Sequence, residues 1–511
     1  MELNTLLPRT KIILIFASAL LVSIAFHPLG LHFFAWFGLV PLLFAIHDIK
    51  PGQAFKSGLF FGFFFSLLSL FWLVFLQIPT KIKILMLFGL ILMFLYIGLY
   101  FGVGFLIANK IGIWFLPFAI AGLEYIKGLG ELGFPWLSLG YSQARYPIFI
   151  QQASIYGVYG VSFWLVLLNI ALFRAIRIRK IKNLIIAILI FTVPLLYGVL
   201  RMKPLKEKLT TIGIIQPNID PNLKFTSGMR EETFDRLIRL SENCAAEVRQ
   251  ETCDSLALVI WPETAIPVFL KTPGQYQNLI LDLANRINTP ILTGSPIYDH
   301  TSREIYNGAI LVEPKKPIEQ EYRKIHLVPF GEHIPFDRDI PLFRKIDVGG
   351  GEYSAGNECT VFETRGLKFS CLICFESIFP ELSRKFVRRD AALLLNITND
   401  GWFGKISGPQ QHNDMAILRT VENGVPLARC SNTGISMVVD QYGRVLQETK
   451  LFEQAYIVER IAIVKIKTIN QSIGDILPIL SLILITLFLV IKYFASNYKA
   501  KIRVNSKNHN Y

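Results

Sequence analysis

Five stretches of this chain run for eighteen residues or more without a charged side chain: 12–47, 57–80, 84–109, 146–173 and 183–200. A helix needs about 20 apolar residues to cross the hydrocarbon core of a bilayer, and no other open structure satisfies its own backbone there. These runs are therefore read as membrane spans rather than core helices. The first is too long for one crossing and breaks at HPLGLH (27–32), which predicts two helices. Residues 111–128 are a further candidate, interrupted by Glu124 and Lys127, and DILPILSLILITLFLVIK (475–492) closes the set. The expectation is seven spans, then a globular stretch, then one more span. Arg9 and Lys11 ahead of an apolar run resemble the start of a signal peptide, but further spans follow without a cleavage site, so the segment reads as an anchor.

Charge adds a direction. Up to residue 209 there are eighteen basic and five acidic side chains, and five basic residues with no acid follow Ile491. Most of the formal net charge of +14 thus lies beside the spans. That is a membrane-topology pattern, and it argues against nucleic acid as a partner. RAIRIRKIK (174–182) and the tail are expected to face the cytoplasm, which places the globular stretch outside. The domains expected are 1–208 (N-terminal bundle), 209–466 (exported domain), 467–495 (last span) and 496–511 (basic tail).

All six cysteines fall in the globular stretch. Only CLIC (371–374) has a metal-like spacing, and no second pair accompanies it. Cys244 and Cys253 are a candidate disulfide in an oxidising compartment. Strand-like and helix-like segments alternate from Leu209, an α/β pattern with chain enough for two sheets and flanking helices.

Three short apolar runs in this stretch end in chemistry. LALVIWPET carries Glu263, YRKIHLVPFGE carries Lys324 and then Glu332, and LKFSCLICFE carries Cys374 and then Glu376. A thiol is a weak nucleophile until a base removes its proton, and acyl transfer also needs positive charge where the carbonyl oxygen becomes an anion. A carboxylate, an ammonium and a thiol meet these needs. Alone, each is more often a surface charge or an inert core cysteine; their order and local wording set them apart.

Those motifs resemble the Glu–Lys–Cys triad of the nitrilase superfamily. With the apolar N-terminal half, the last span, GFPWLSLGYSQ (133–143) and NITNDGWFG (396–404), the whole chain resembles the apolipoprotein N-acyltransferase family. The resemblance implies a nitrilase-like αββα sandwich on an eight-helix transmembrane bundle in the bacterial inner membrane. It also implies transfer of an acyl chain from a phospholipid, typically phosphatidylethanolamine, to the N-terminal amine of a diacylated apolipoprotein. Glu263 would be the base, Lys324 the oxyanion partner and Cys374 the nucleophile, with Glu332 and Glu376 in support. Phe225 and Phe375 stand where the best-known form has Trp and Tyr, so those positions keep an aromatic ring and lose a polar hydrogen. Trp402 and Phe403 read either as core aromatics or as an interfacial lid, and 336–357 as a second arm. His326 and His333 have no companions that complete a metal site, so neither a metal nor another cofactor is expected. A monomer is expected beside so large a bundle. The rival readings are a membrane-tethered amidohydrolase using water as acceptor, and a non-catalytic membrane protein carrying the same domain.

Overall fold

The structure, a computed structural model, describes residues 8–76, 80–204, 209–220, 228–251, 256–336 and 353–508. Among them, five helices are long and apolar enough to cross a membrane: Pro51–Phe75, Lys83–Ile111, Ala153–Ile178, Ile181–Arg201 and Ile476–Tyr498. The expected count of eight is not reproduced. The first apolar run gives one helix, Pro8–Ile24, then breaks into the short pieces His32–Trp36 and Val40–Ala45. Residues 111–128 give a 12-residue helix, Leu116–Lys127, too short for a span. Its two charges face inward and are spoken for. Lys127 Nζ donates to the Trp136 carbonyl at 2.7 Å, and Glu124 Oε1 accepts from the Leu139 N–H at 2.7 Å. They anchor the GFPWLSLGYSQ loop.

Lipid offers apolar side chains no advantage over one another, so membrane helices associate through close backbone approach. Gly58 and Gly62 of Pro51–Leu70 face Gly98 and Gly102 of Thr80–Ile111. A Cβ on Gly62 would lie 2.8 Å from the Gly98 Cα, and one on Gly58 2.7 Å from the Phe101 carbonyl oxygen. Outward, the helices expose Ile84, Phe88, Leu184, Leu200, Leu480 and Phe494, a surface fit for lipid.

The globular part holds two six-stranded sheets. Strands β1 (Leu209–Gln216), β2 (Leu258–Ile260), β3 (Ile291–Asp299), β4 (Glu304–Val312) and β5 (Glu321–Arg323) form the first together with β12 (Ala455–Ala462), in the order β12-β1-β2-β3-β4-β5. Strands β6 (Phe362–Thr364), β7 (Leu367–Ile373), β8 (Leu393–Thr398), β9 (Leu427–Ser431), β10 (Met437–Val439) and β11 (Val445–Glu448) form the second, in the order β11-β10-β9-β8-β7-β6. Each sheet has three central parallel strands, one antiparallel strand on one side and two on the other. The fold is therefore a topological duplication, although no repeat is visible in the sequence.

Alternation along the strands builds the layers. In β1, Ile212 and Ile214 join the core between the sheets, while Ile215 joins the cluster under helices Met229–Glu251 and Gln275–Ile287. Helices Pro380–Arg388 and Ser407–Asn423 cover the other sheet, completing αββα. The Ser407–Asn423 helix is buried on both faces, because the membrane bundle packs on its far side. Its polar side chains are buried together with apolar ones such as Met415, Ile417 and Leu418, and hydrogen bonds hold several of them there. Gln411 Oε1 accepts from the indoles of Trp72 and Trp136 at 3.1 and 3.0 Å, and Asp414 pairs with Arg145 at 2.6 Å. Glu422 pairs with Arg419 at 3.1 Å and caps a membrane helix by accepting from the Val158 N–H at 2.8 Å. That cap is possible because Gly157, at φ 65°, breaks the helix beside it.

Arg419 and Glu422 are fully buried, so removing one charge strands the other. Glu422→Leu is expected to destabilise the protein by about 3–5 kcal/mol, read as a lower thermal unfolding midpoint in detergent. An unchanged midpoint would show the pair to be idle.

Candidate active site

Glu263, Lys324 and Cys374 each follow the end of a strand, β2, β5 and β7 respectively. Three strand ends from two sheets thus deliver them to one place. Lys324, fully buried, sits with Nζ 2.8 Å from Glu332 and 3.6 Å from Glu263. Asn307 of β4 donates to both carboxylates at 2.8 Å, the Asn399 N–H donates to Glu263 Oε2 at 3.0 Å, and the Val328 N–H to Glu332 at 2.9 Å. These bonds leave the two acids few ways to move. Cys374 lies in the left-handed region at φ 52°, a strained conformation for a residue with a side chain, which costs about 1–3 kcal/mol and persists only when its surroundings impose it.

The charges follow from burial and neighbours. Burial raises the Cys374 thiol above its ordinary range, and Glu263 raises it further against the pull of Lys324, so the resting group is the thiol. Burial also raises Glu263, with Lys324 offsetting part of the shift. For Lys324, burial is outweighed by Glu332 and then Glu263, so it stays an ammonium. Glu332 goes down, because Lys324 overcomes its burial. One carboxylate is thus a fixed counter-ion, and the other is free to exchange a proton.

Glu376 joins the sheets. Its Oε1 accepts from Tyr322 Oη at 2.7 Å and from the Ile325 and His326 N–H groups at 2.7 and 3.1 Å; its Oε2 accepts from the Ile373 N–H at 2.7 Å. The segment carrying Lys324 and the turn carrying Cys374 hang on one fully buried carboxylate.

The aromatic candidates separate. Phe375 is buried against Phe379 and Phe134, with ring centroids at 5.2 and 6.3 Å. Phe403 packs inward on Trp72 at 4.9 Å, whereas Trp402 is 40% exposed. Phe225, Cys253 and residues 337–352 of the suggested arm lie outside the described residues. Cys371 and Cys374 are both free thiols. His326 pairs with Glu381 at 3.0 Å.

Sequence reasoning missed Asn307, Asn396, Asp400, His412 and Arg429. The last four form a buried cluster beneath Cys374, in which Arg429 donates to Asp400 at 2.8 Å and lies 3.0 Å from His412 Nδ1. Cys374, Asp400 and His412 are near enough to suggest a metal site, but the guanidinium already supplies the cation there. The signal was present: an Asn inside LLLNIT and an Arg inside PLARCS are polar residues in strands that read as buried.

Glu376→Gln replaces one acceptor oxygen with an amide that must face a donor. It is expected to cost about 1–3 kcal/mol and to disorder the Cys374 turn, checked by thermal unfolding and by hydrogen exchange at Ile373. Wild-type values for both would remove Glu376 from the joint.

A family model described as carbon-nitrogen hydrolase matches residues 211–471, and one described as apolipoprotein N-acyltransferase N-terminal domain matches residues 18–171. The apolipoprotein N-acyltransferase of Geobacter metallireducens is 34% identical over 493 residues, covering 92% of this chain and 93% of that one. That of Chlorobaculum tepidum is 31% identical over 482 residues, covering 87% and 89%. Among solved structures, Nit3 of Saccharomyces cerevisiae, a nitrilase-superfamily protein, aligns at 20% identity with a TM-score of 0.39, covering 52% of this chain and 95% of that one; at that score the likeness carries no weight of its own. Two family models matched in chain order, and a relative one-third identical along nearly the whole length of both sequences, lead to one conclusion: the chain belongs to the apolipoprotein N-acyltransferase family.

Proposed function

We propose that the protein moves an acyl chain from a phospholipid, phosphatidylethanolamine by family resemblance, to the N-terminal amine of a diacylglyceryl-cysteine on an apolipoprotein, by way of a thioester on Cys374. The observation that carries this reading is the pairing of a thiol on a strained turn with an ammonium held between Glu263 and Glu332. Glu263 takes the thiol proton, and the sulfur attacks the ester carbonyl of the donor. The carbonyl oxygen becomes an anion opposite Lys324. Collapse breaks the ester C–O bond, and Glu263 returns its proton to the departing lysophospholipid oxygen. The acceptor amine then attacks the thioester; its proton passes through Glu263 to the sulfur as the amide forms. A covalent intermediate lets two bulky lipid-bearing substrates use one cleft in turn.

The domain boundaries we adopt are 1–208, 209–466, 467–495 and 496–511. The catalytic domain is placed on the outer side of the membrane and the tail on the inner. Two contacts support this orientation. The Ile476–Asn508 helix leaves the catalytic domain beside the Arg384–Asp475 ion pair, and sixteen residues on, about 24 Å along a helix, Lys492 reaches the Lys110 carbonyl. Arg174 stacks on Trp114 near the same end. Basic residues therefore gather at the end of the bundle away from the catalytic domain. Because the bundle occupies the outer helix of one sheet, that layer is closed to a second copy, and we take the chain to act as a monomer.

With labelled phospholipid alone, wild type is expected to form a hydroxylamine-labile adduct by intact mass, and Cys374→Ala none. Glu263→Gln should slow adduct formation about 10²–10⁴-fold, and Lys324→Met about 10²–10³-fold. Because burial raises Glu263, its basic form appears only above the ordinary carboxylate range, so the acylation rate should climb with pH through that raised value. Adding a diacylated peptide should give N-acyl peptide. Free fatty acid alone would favour the hydrolase, and no product would sink both.

A membrane-impermeant thiol reagent should reach the catalytic domain in intact spheroplasts, while a reporter fused after Tyr511 stays cytoplasmic. Labelling seen only after lysis would reverse the orientation.

A further inference from the structure

Beneath Cys374 lies a polar cluster for which the acyl-transfer steps have no use. Asn396 and Thr398 of β8, Asp400, His412 and Arg429 are all buried. Thr398 Oγ1 donates to Asp400 Oδ1 at 2.9 Å, Arg429 donates to Asp400 Oδ2 at 2.8 Å and to Asn396 Oδ1, and Asp400 Oδ1 lies 2.9 Å from His412 Nδ1. The other ring nitrogen points at the nucleophile's backbone. His412 Nε2 is 3.0 Å from the Cys374 carbonyl oxygen and 3.2 Å from Ser377 Oγ. A carbonyl oxygen only accepts, so Nε2 carries the proton in that contact. Ser377 Oγ and Asn396 Nδ2 donate to the same oxygen at 3.1 and 3.4 Å.

This arrangement differs from a Cys–His pair. The sulfur, an Asp400 oxygen and a His412 nitrogen lie within 4.8 Å of one another, yet the Nε2 proton is committed to the main chain. What the imidazole holds is a peptide unit. That unit belongs to a residue whose φ of 52° needs outside support. The ring itself is held from two sides: Trp136 of the membrane half lies over it at 5.5 Å and 31°, Phe403 of the catalytic part edges it at 6.0 Å, and the adjoining Gln411 accepts from the Trp136 indole.

We propose that His412 is a positioning residue for the nucleophile: its Nε2–H grips the Cys374 carbonyl and keeps the turn in the left-handed conformation that presents the sulfur to Glu263 and Lys324. Trp136 of the membrane bundle keeps His412 in place, so the bundle helps to aim the thiol. The inference rests on the reading of Cys374 as the nucleophile, and its test does not require acyl chemistry.

The experiment measures alkylation of full-length enzyme in detergent by iodoacetamide, residue by residue, from peptide masses. Cys359, which is partly exposed and outside the site, is the internal control. Three variants are compared: His412→Leu, which has no donor; His412→Asn, which is polar but too short to reach; and His412→Gln, whose amide reaches the carbonyl. In the Leu and Asn variants, misplacing the sulfur should slow Cys374 alkylation roughly 10–100-fold, with Cys359 unchanged. The Gln variant should recover most of the wild-type rate. In steady-state assays normalised to titrated Cys374, kcat should fall in the same order while KM for the phospholipid holds. A Cys374 rate untouched by the Asn change, a Gln variant no better than Asn, or Cys359 moving in step with Cys374 would each overturn the proposal. If wild type alkylates as expected but never forms a hydroxylamine-labile adduct, the acyl-transfer reading falls and the positioning result stands.

Discussion

The structure turns on one polar helix that has no water. Ser407–Asn423 lies between a β-sheet and a membrane bundle, with every residue buried except Gln410, which is half-buried. A buried polar group without a partner is costly, so the helix stays there only while its neighbours supply partners in the right places. Trp72, Trp136, Arg145 and the Val158 N–H come from the bundle; the Cys374 carbonyl, on the other face, comes from the catalytic turn. Hydrogen-bond geometry thereby adds direction to the apolar packing that also joins the membrane and catalytic parts, in which Ile150, Ile417 and Val421 share.

Within the catalytic part, labour is divided between the two sheets. The first supplies Glu263, Lys324, Asn307 and Glu332, a buried ammonium held between two carboxylates that one amide also bridges. The second supplies the thiol and the turn that holds it. Glu376 fastens one to the other through four donors. A carboxylate suits that task because it accepts in several directions at once. The duplicated topology explains how two distant stretches of chain reach one site: the parallel strands of each sheet open toward it.

What the sequence made legible follows from where the information is local. Strand ends beside Glu263, Lys324 and Cys374 could be read because a buried strand is a short apolar run, and the residue after it stands out. The αββα layers could be expected because strand and helix signals alternate. Among the described residues the count of eight spans is not confirmed where residues 32–45 and 116–127 are apolar yet broken or short, because hydropathy measures composition rather than continuity. Glu124 and Lys127 looked like intrusions into a span, and their purpose appears only with the Trp136 and Leu139 backbone they hold. Asn307, Asp400, His412 and Arg429 acquire meaning from partners far away in the chain, a relation that no spacing rule encodes. The duplication was hidden for a similar reason, since the two sheets share an order of strands and no wording.

The hydrogen-bonded joint around Gln411, Asp414 and Glu422 has a consequence for the surroundings the protein tolerates. An apolar joint weakens when hydrocarbon replaces water, because acyl tails compete for the same contacts. A polar joint behaves the opposite way: lipid offers no donors or acceptors, and water is the solvent that competes. The polar contacts of the seam are thus strongest where the medium is driest, and lipid tails do not compete for them. Hydration, from a thinned bilayer edge or a small detergent micelle, is the agent that competes for the partners of Gln411, Asp414 and Glu422.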